Sequence, residues 1–254
     1  PGRGRTKTGQ LWAYARDDRP WGGIDPPMMA YVYAADRKSE RAEAHLGDFA
    51  GILQVDGYGG YTALAKRQQQ ITLAFCWSHV RRKFFDLADK SPVATEVLQR
   101  IAGLYAVESE VRGTDADHRR AVRNEHARVI VADLHYYLEA RLRQVSTKSK
   151  LAEAIRYALS RWDGLTVFLD DGRVELDTNT VERSIRPLAL NRKNALFAGS
   201  DEGGDNWAVI ATLIENCKIA GINPHTWLTE TLTKLAHGHP ANGVGDLMPW
   251  IDVT

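Results

Sequence analysis

The sequence predicts an α/β protein in which a mixed sheet is flanked by helices. Two observations support this prediction. Segments with strand character come first along the chain, and helical periodicity dominates after residue 77. The 254 residues, of which 44% are hydrophobic and 26% charged, suffice for one large or two modest domains. This composition excludes a disordered, collagenous or coiled-coil protein.

Four segments have the pattern of β-strands. Leu11–Arg16 alternates between two faces, and Met29–Asp36 is rich in aromatic and β-branched residues and follows a Pro-Pro turn. Ile52–Asp56 and Ile71–Trp77 are short apolar runs, which are typical of buried strands.

Helices are predicted between these strands and after them. Ser39–Phe49 has Ser39 as a suitable N-cap, and Tyr61–Arg67 forms a second short helix. From 78 to 162 no segment has strand character, and Leu151–Trp162 matches the spacing of an amphipathic helix throughout. We therefore expect a helical insertion between two parts of a sheet domain.

The last third of the chain contains one predicted hairpin and two predicted helices. Leu165–Leu169 and Val174–Leu176 flank an Asp-Asp-Gly-Arg turn, which favours a small β-hairpin. Asp205–Ala220 is amphipathic, and a last helix runs to about Ala236, with Asn223 as its N-cap.

The two cysteines, Cys76 and Cys217, are too few for a disulfide framework and are typical of a reducing cytosol. Cys76 and His79 have the spacing of half a zinc site. No second pair matches it, so Cys76 is interpreted as a buried core thiol. No stretch approaches the ~18 consecutive apolar residues of a membrane span, and no signal pattern is present, so we expect a cytoplasmic protein without a membrane partner.

Asp56 stands at the carboxyl end of the third predicted strand and is followed by three nearby glycines. Ligands of such sheets bind beyond the strand ends, and glycines let another chain approach closely. An aspartate that caps the next turn is the more common explanation of this pattern. The position alone therefore favours a cap over a binding site.

Glu182 lies near the start of a predicted helix, where Asn179 as N-cap and Glu182 as its N3 partner resemble a capping box. Its helical face also carries Arg186, and Pro187 is expected to kink or end the helix near this arginine. A carboxylate among arginines suits a site that handles phosphates and metal ions. It suits a solvated, salt-bridged face equally well.

Basic residues form two clusters that concern a nucleic-acid partner. One opens the helix after the fourth strand and consists of His79, Arg81, Arg82 and Lys83. The other surrounds Glu182 and consists of Arg183, Arg186, Arg192 and Lys193. Basic runs are usually solvated helix faces, but they can also neutralise the phosphates of DNA and make binding salt-dependent.

Five ordered motifs are spread along nearly the whole chain. They are PGRGRTKTGQLWAYARDDRPWG (Pro1–Gly22), LQVDGYGGY (Leu53–Tyr61), CWSHVRRKFFDLA (Cys76–Ala88), TNTVERSIRPLALNRKNALFAGSDEGG (Thr178–Gly204) and NCKIAGINPHTWLTETL (Asn216–Leu232). Together they resemble the transposases of insertion sequence family 66, a group of bacterial DDE-type enzymes. The fourth motif is similar to the family's signature around its catalytic glutamate.

The resemblance implies an α/β fold with a ribonuclease-H-like mixed sheet core, a large all-α insertion and a helical C-terminus. The core would comprise 1–77 and 165–204, the insertion 78–164, and the C-terminal element 205–254. In such enzymes three carboxylates hold two Mg²⁺ or Mn²⁺ ions for phosphoryl transfer. Asp56 matches the second aspartate and Glu182 the final glutamate, so both are expected to be catalytic and to bind metal. Six basic residues match basic positions in the motifs and are interpreted as DNA or active-site contacts: His79, Arg82, Arg183, Arg186, Arg192 and Lys193. Arg81 and Lys83, in the first of these clusters, are expected to contact DNA as well.

The family's first aspartate belongs to a strand that precedes the first motif, and Asp17, Asp18 and Asp36 do not match it. That strand is the first strand of the ribonuclease-H-like sheet and lies at its centre. We expect it to be absent from this chain. We expect this chain to be incomplete, less stable than a version extended upstream, and unable to cleave DNA.

The resemblance predicts a bacterial, nucleoid-associated DNA transposase that acts on transposon-end and target DNA. It also implies a homo-oligomer on DNA and accessory proteins of the same insertion sequence as partners. The alternative is a non-catalytic DNA-binding remnant or accessory protein of the element, which keeps the basic surfaces alone. A metal-dependent nuclease without strand transfer would use the same residues.

Overall fold

The computed structural model describes residues 6–191, 194–195 and 197–249. The strands are β1 (Gln10–Arg16), β2 (Met28–Ala34), β3 (Gly51–Val55) and β4 (Ile71–Phe75). Helices α1 (Ser39–Leu46) and α2 (Gly59–Arg67) precede β4, and helix α3 (Trp77–Phe85) follows it. The later helices are α4 (Pro92–Val111), α5 (Ala116–Val122), α6 (Arg128–Leu142), α7 (Lys150–Leu159), α8 (Trp162–Asp170), α9 (Asn179–Asn191), α10 (Asp201–Ile219) and α11 (Pro224–Ala236).

The mixed α/β class and all four predicted strands are confirmed, but the strands do not form one mixed sheet. Among the described residues, β1 and β2 form an antiparallel two-stranded sheet, and β3 and β4 form a parallel one. The chain divides into two compact units. The first unit lies within Pro1–Asp18, Ile24–Arg37 and Thr180–Thr254, and the second comprises Arg19–Gly23 and Lys38–Asn179.

In the first unit, α10 packs on β2 and bonds its backbone. Met29 and Tyr31 of β2 are buried together with Ala208 and Ala211 of α10. The Asn216 side chain accepts a hydrogen bond from the Met29 amide (3.1 Å) and donates one to the Met29 carbonyl (2.7 Å). These bonds pair backbone groups of β2 that β1 leaves unpaired, which protects the strand edge.

In the second unit, α2 is the crossover between the parallel strands β3 and β4, as parallel pairing requires. Trp77, Val80 and Phe84 of α3 are almost fully buried and join the core that the helices α4, α6, α7 and α8 supply. No strand occurs between 78 and 162, so the prediction of a helical segment there is confirmed.

The predicted hairpin between Leu165 and Leu176 is wrong, because Trp162–Asp170 is helix α8. Leu165, Phe168 and Leu169 are buried at helical spacing on one face. Gly164 makes this packing possible, since a Cβ on it would lie 2.3 Å from the Phe75 ring and 2.9 Å from the Leu73 carbonyl oxygen. Close packing on β4 therefore overrides the strand propensity of this run.

Three smaller expectations about helix ends differ from the structure. Ser39 is the first residue of α1 rather than its N-cap, and Lys38 takes that place without a side-chain cap bond. Helix α9 continues through Pro187 to Asn191, so it does not end near Arg186, and the alternative of a kink at Pro187 stays a prediction. Helix α10 begins at Asp201, four residues earlier than predicted, with the Ser200 side chain as its cap. The Asn223 cap of α11 is confirmed.

A buried network of ion pairs joins the helices of the second unit. Glu108 of α4 accepts hydrogen bonds from Arg119 and Arg123, whose side chains are both 0% exposed. Arg119 also contacts Glu175 (2.5 Å), and Arg123 donates to the Phe168 carbonyl oxygen (2.9 Å). Burial lowers the pKa of Arg123, and Glu108 opposes this effect. The network fixes α4 and α5 against the chain after α8.

None of the helices in the described ranges is long and apolar enough to span a membrane.

Candidate functional site

The candidate site of the second unit lies at the carboxyl ends of β3 and β4. Because the two strands are parallel, Asp56 after β3 and Cys76 after β4 stand at the same edge of the sheet. This edge is the usual position for ligands of parallel sheets.

The segment that leads to α9 is held at this edge by hydrogen bonds. Gln54 Nε2 donates to the carbonyl oxygens of Glu175 (2.5 Å) and Asp177 (3.3 Å). The Trp77 amide donates to the Leu176 carbonyl oxygen (3.1 Å). A further bond runs from the Thr178 amide to the sulfur of Cys76 (3.3 Å). The chain is thus fixed beside both strand ends immediately before α9 begins.

The Asp56 side chain is exposed, and its Oδ1 atom accepts a hydrogen bond from the Tyr58 amide (2.9 Å). The turn-capping interpretation of Asp56 is therefore confirmed for this oxygen. Gly57 has a φ of 90°, a backbone conformation that side chains disfavour. The cap holds the carboxylate in one orientation at the edge of the sheet.

Tyr157 of α7 and Arg161 lie beside this turn. A Cβ on Gly57 would lie 3.1 Å from the Tyr157 hydroxyl and 3.2 Å from Arg161 Nε. The guanidinium carbon of Arg161 is 3.9 Å from the centroid of the Tyr157 ring, and Lys83 Nζ is 4.7 Å from the same centroid. Burial raises the pKa of Tyr157, and the charge of Asp56 adds to the rise, whereas Arg161 opposes it.

Cys76 is buried, as predicted, and it is also hydrogen-bonded. Its sulfur lies 3.1 Å from the Ser78 hydroxyl and accepts the Thr178 amide. Burial raises the pKa of this thiol, but hydrogen bonds with His79, Ser78 and Thr178 outweigh burial and leave the pKa below its ordinary value.

The basic face of α3 lines an open cleft of about 420 Å³. Its lining residues are Ser78, Arg81, Arg82, Phe85, Tyr105 and Asn179. Arg81, Arg82 and Phe85 are exposed, and the Arg81 guanidinium carbon is 5.5 Å from the Phe85 ring centroid. The predicted basic run therefore presents two of its arginines together, while Lys83 lies against Tyr157 and His79 bonds Cys76.

Asp177 organises the inner wall of this cleft. One of its oxygens accepts from the Tyr105 hydroxyl (3.1 Å), and the Asn179 amide nitrogens bond both of its oxygens. Burial, followed by the negative charge of Asp177, raises the pKa of Tyr105. This carboxylate is therefore hydrogen-bonded by neutral donors.

Glu182 belongs to the first unit and is half-buried on α9. Arg183 and Arg186 are exposed on the same helix, while Ile185 packs on the core of the unit. Arg192 and Lys193 lie outside the described residues. Asp56 and Glu182 belong to different units, so their pairing at one metal site stays a prediction.

The sequence interpretation missed Tyr157 and Arg161 as neighbours of Asp56. The two residues are four positions apart, which places their side chains on the same side of a helical turn. This helix was predicted from the spacing of its apolar residues alone. That spacing does not indicate a contact between a tyrosine and an arginine.

The comparisons with known proteins agree with the sequence motifs. The family model described as transposase IS66 family matches residues 1–206, and the model described as IS66 C-terminal element matches residues 212–250. No solved structure matches the chain.

Three curated relatives come from Sinorhizobium fredii (strain NBRC 101917 / NGR234). The uncharacterized protein y4qI is 51% identical over 98% of this chain and 48% of its own length. The uncharacterized proteins y4jD and y4hP are 42% and 39% identical over 98% of this chain, and over 50% and 48% of their own lengths. The chain spans about half the length of the curated relatives that it matches. Because the family match runs through most of its residues, the chain belongs to the IS66 family of transposases.

Proposed function

We propose that this chain is part of the catalytic region of a DNA transposase that cleaves and joins strands at the ends of an insertion sequence. In this proposal Asp56 and Glu182 bind one or two Mg²⁺ or Mn²⁺ ions at the edge of a ribonuclease-H-like core. The basic residues of α3 and α9 bind the DNA backbone.

One observation supports the pairing of the two carboxylates most strongly. The segment before α9 is bonded to Gln54, Cys76 and Trp77, at the same strand ends that carry Asp56. Glu182 follows Asn179, the first residue of α9, by three positions, which is ~4.5 Å along a helix axis. The short covalent distance between this segment and the glutamate supports the proposed pairing with Asp56.

The donor set fits a hard divalent cation. Carboxylate oxygens are the ligands that Mg²⁺ prefers, and Mg²⁺ binds through one or two carboxylates while it keeps several waters. The Tyr58 amide orients the Asp56 carboxylate, as partners of metal ligands do. When bound, such ions activate the attacking oxygen and stabilise the leaving oxygen in phosphoryl transfer.

The cleft on α3 supports a DNA partner. Arg81 and Arg82 are exposed beside each other, and the nearby carboxylate of Asp177 is bonded by Tyr105 and Asn179. Arginines presented in this way bind phosphate oxygens and release counterions from DNA. Transposon-end and target DNA are thus the proposed partners, together with further copies of the protein and accessory proteins of the same element, at the bacterial nucleoid.

A strand-cleavage assay tests the proposed reaction. Because the chain spans about half the length of its curated relatives, the assay uses a longer protein that contains it. We expect divalent-metal-dependent cleavage in the wild type and its loss in both Asp56→Asn and Glu182→Gln. Asp163→Asn, which changes an exposed carboxylate on α8, is the matched control and should cleave normally. Intact cleavage in both site variants would refute the assignment.

The α3 cleft on its own also favours a second function, that of a non-catalytic DNA-binding protein of the element. Its basic lining belongs entirely to the second unit and needs no metal. This alternative predicts salt-sensitive DNA binding that ignores Mg²⁺ and survives both carboxylate substitutions. The proposed catalytic function predicts that Mg²⁺ alters DNA binding in the wild type but not in Asp56→Asn.

A further inference from the structure

Arg161 combines three features that the proposed function does not yet use. It comes from the helical segment that follows the sheet strands, at the start of α8, and it reaches back to the turn after Asp56. It stacks on Tyr157, and its side chain is half-buried. Lys83 contacts the same tyrosine ring, so two cations surround one aromatic side chain beside Asp56.

Several arginines of this unit pair with an acidic side chain, and Arg161 does not do so among the described residues. Arg67, Arg100, Arg112 and Arg128 each form an ion pair with a carboxylate. Arg161 instead donates to the Tyr157 carbonyl oxygen (3.3 Å) and to the Ser160 hydroxyl (3.1 Å). No carboxylate lies within ion-pair distance of Arg161 in the part of the chain that the structure describes.

We propose that Arg161 binds a backbone phosphate of the DNA strand that passes Asp56, with Tyr157 holding the guanidinium in place. This inference deepens the proposed function and rests on it. An arginine suits the role because its planar fork can bind two phosphate oxygens at once. Stacking on Tyr157 limits the rotation of the guanidinium before DNA arrives, which reduces the entropy cost of binding.

The position of Arg161 also affects the electrostatics of DNA binding near Asp56. A carboxylate at the strand end repels the phosphates of an approaching strand, because like charges that lie close together disfavour each other. A neighbouring cation without an acidic partner offsets this repulsion. Removal of Arg161 should therefore weaken DNA binding through the loss of one charge contact.

The test measures the salt dependence of DNA binding by fluorescence anisotropy, with a short fluorescein-labelled DNA duplex in a KCl series. Each phosphate neutralised contributes about −0.9 to the slope of log K against log salt concentration for duplex DNA. We expect Arg161→Gln to make this slope shallower by about 0.9 and Arg161→Lys to keep the wild-type slope. Gln removes the charge and keeps part of the aliphatic stem, and Lys retains the charge.

Two variants separate this inference from the proposed function. Arg82→Gln, in the cleft of α3, should also flatten the slope, whereas Arg128→Gln, an exposed arginine paired with Asp170, should not. A wild-type protein whose DNA binding does not depend on salt overturns both the proposed function and this inference. If Arg82→Gln behaves as expected but Arg161→Gln keeps the wild-type slope, only the role of Arg161 is overturned. A loss of affinity at constant slope in Arg161→Gln indicates a packing role and also overturns it.

Discussion

Asn216 on α10 offers the clearest test of how the first unit holds its strands. Its side chain is 5% exposed and bonds both the amide and the carbonyl of Met29. Thr212, one turn earlier, accepts the Tyr31 amide at 2.9 Å, so two side chains of one helix bond alternate residues of β2. The substitution Asn216→Ala removes both bonds to Met29.

The expected magnitude follows from the groups left without partners. Each unsatisfied buried backbone group costs ~1–3 kcal/mol, so the amide and carbonyl of Met29 together cost ~2–6 kcal/mol. Alanine has a higher helix propensity than asparagine, which offsets ~0.5 kcal/mol. We expect Asn216→Ala to lower the free energy of unfolding by ~2–5 kcal/mol.

Urea unfolding followed by circular dichroism measures this loss. Asn206→Ala is the matched control, because Asn206 is exposed on the same helix. It should change the free energy of unfolding by less than ~0.5 kcal/mol. If the two variants unfold at the same urea concentration, the bonds of Asn216 to β2 do not stabilise the unit and the reasoning is refuted.

Three further predictions concern packing, buried charge and pH. Gly164→Ala should lower the free energy of unfolding by ~1–3 kcal/mol because the added Cβ clashes with Phe75 and a backbone oxygen. Gly59→Ala is the control and should not destabilise the protein, because its Cβ contacts no other atom. Equal urea midpoints for the two variants would contradict this prediction. Glu108→Gln should cost ~3–5 kcal/mol because it leaves the buried guanidinium of Arg123 without its carboxylate and leaves Arg119 with Glu175 alone. The exposed Glu110→Gln on the same helix should cost almost nothing, and a small loss in both variants would show that the network is dispensable. A hydrogen bond to Asp201 raises the pKa of Tyr33 to about 12, above the value of about 10 in an unfolded chain. This stabilising contribution is complete below about pH 10 and is lost as the pH rises to about 12, so Tyr33→Phe should lose stability less steeply over that range, as thermal melts at each pH would show.

The sequence predicted the elements whose signals are local. The alternation of β1, the apolar runs of β3 and β4, and the Asn-Pro start of α11 each depend on residues that are close along the chain. The prediction for the segment from Trp162 to Asp170 was wrong because its β-branched and aromatic residues favour a strand. The absence of a side chain at Gly164 lets a helix pack on β4 instead. That contact is between distant segments and cannot be seen in a local pattern.

The candidate site was predictable to a similar extent. A carboxylate after a buried strand made Asp56 a candidate beside the more common cap, and the basic run after the next strand indicated the basic residues of α3 but not the cleft that they line. Arg161 could not be predicted, because its proximity to Gly57 depends on how α7 and α8 fold back over the sheet. The structure also shows that a cap and a site residue are compatible explanations of Asp56, since the capping bond uses one oxygen of the carboxylate.

The proposed function depends most directly on Asp56 and Glu182 binding the same metal ion. Fe²⁺ can substitute for Mg²⁺ at such sites, and with ascorbate and peroxide it generates radicals that cut the backbone next to the ion. We expect cuts near residue 56 and near residue 182 in this chain. Excess Mg²⁺ should prevent both cuts, and either Asp56→Asn or Glu182→Gln should abolish both. Cuts near one of the two residues alone, or cuts at both that persist in either variant, would contradict a shared ion.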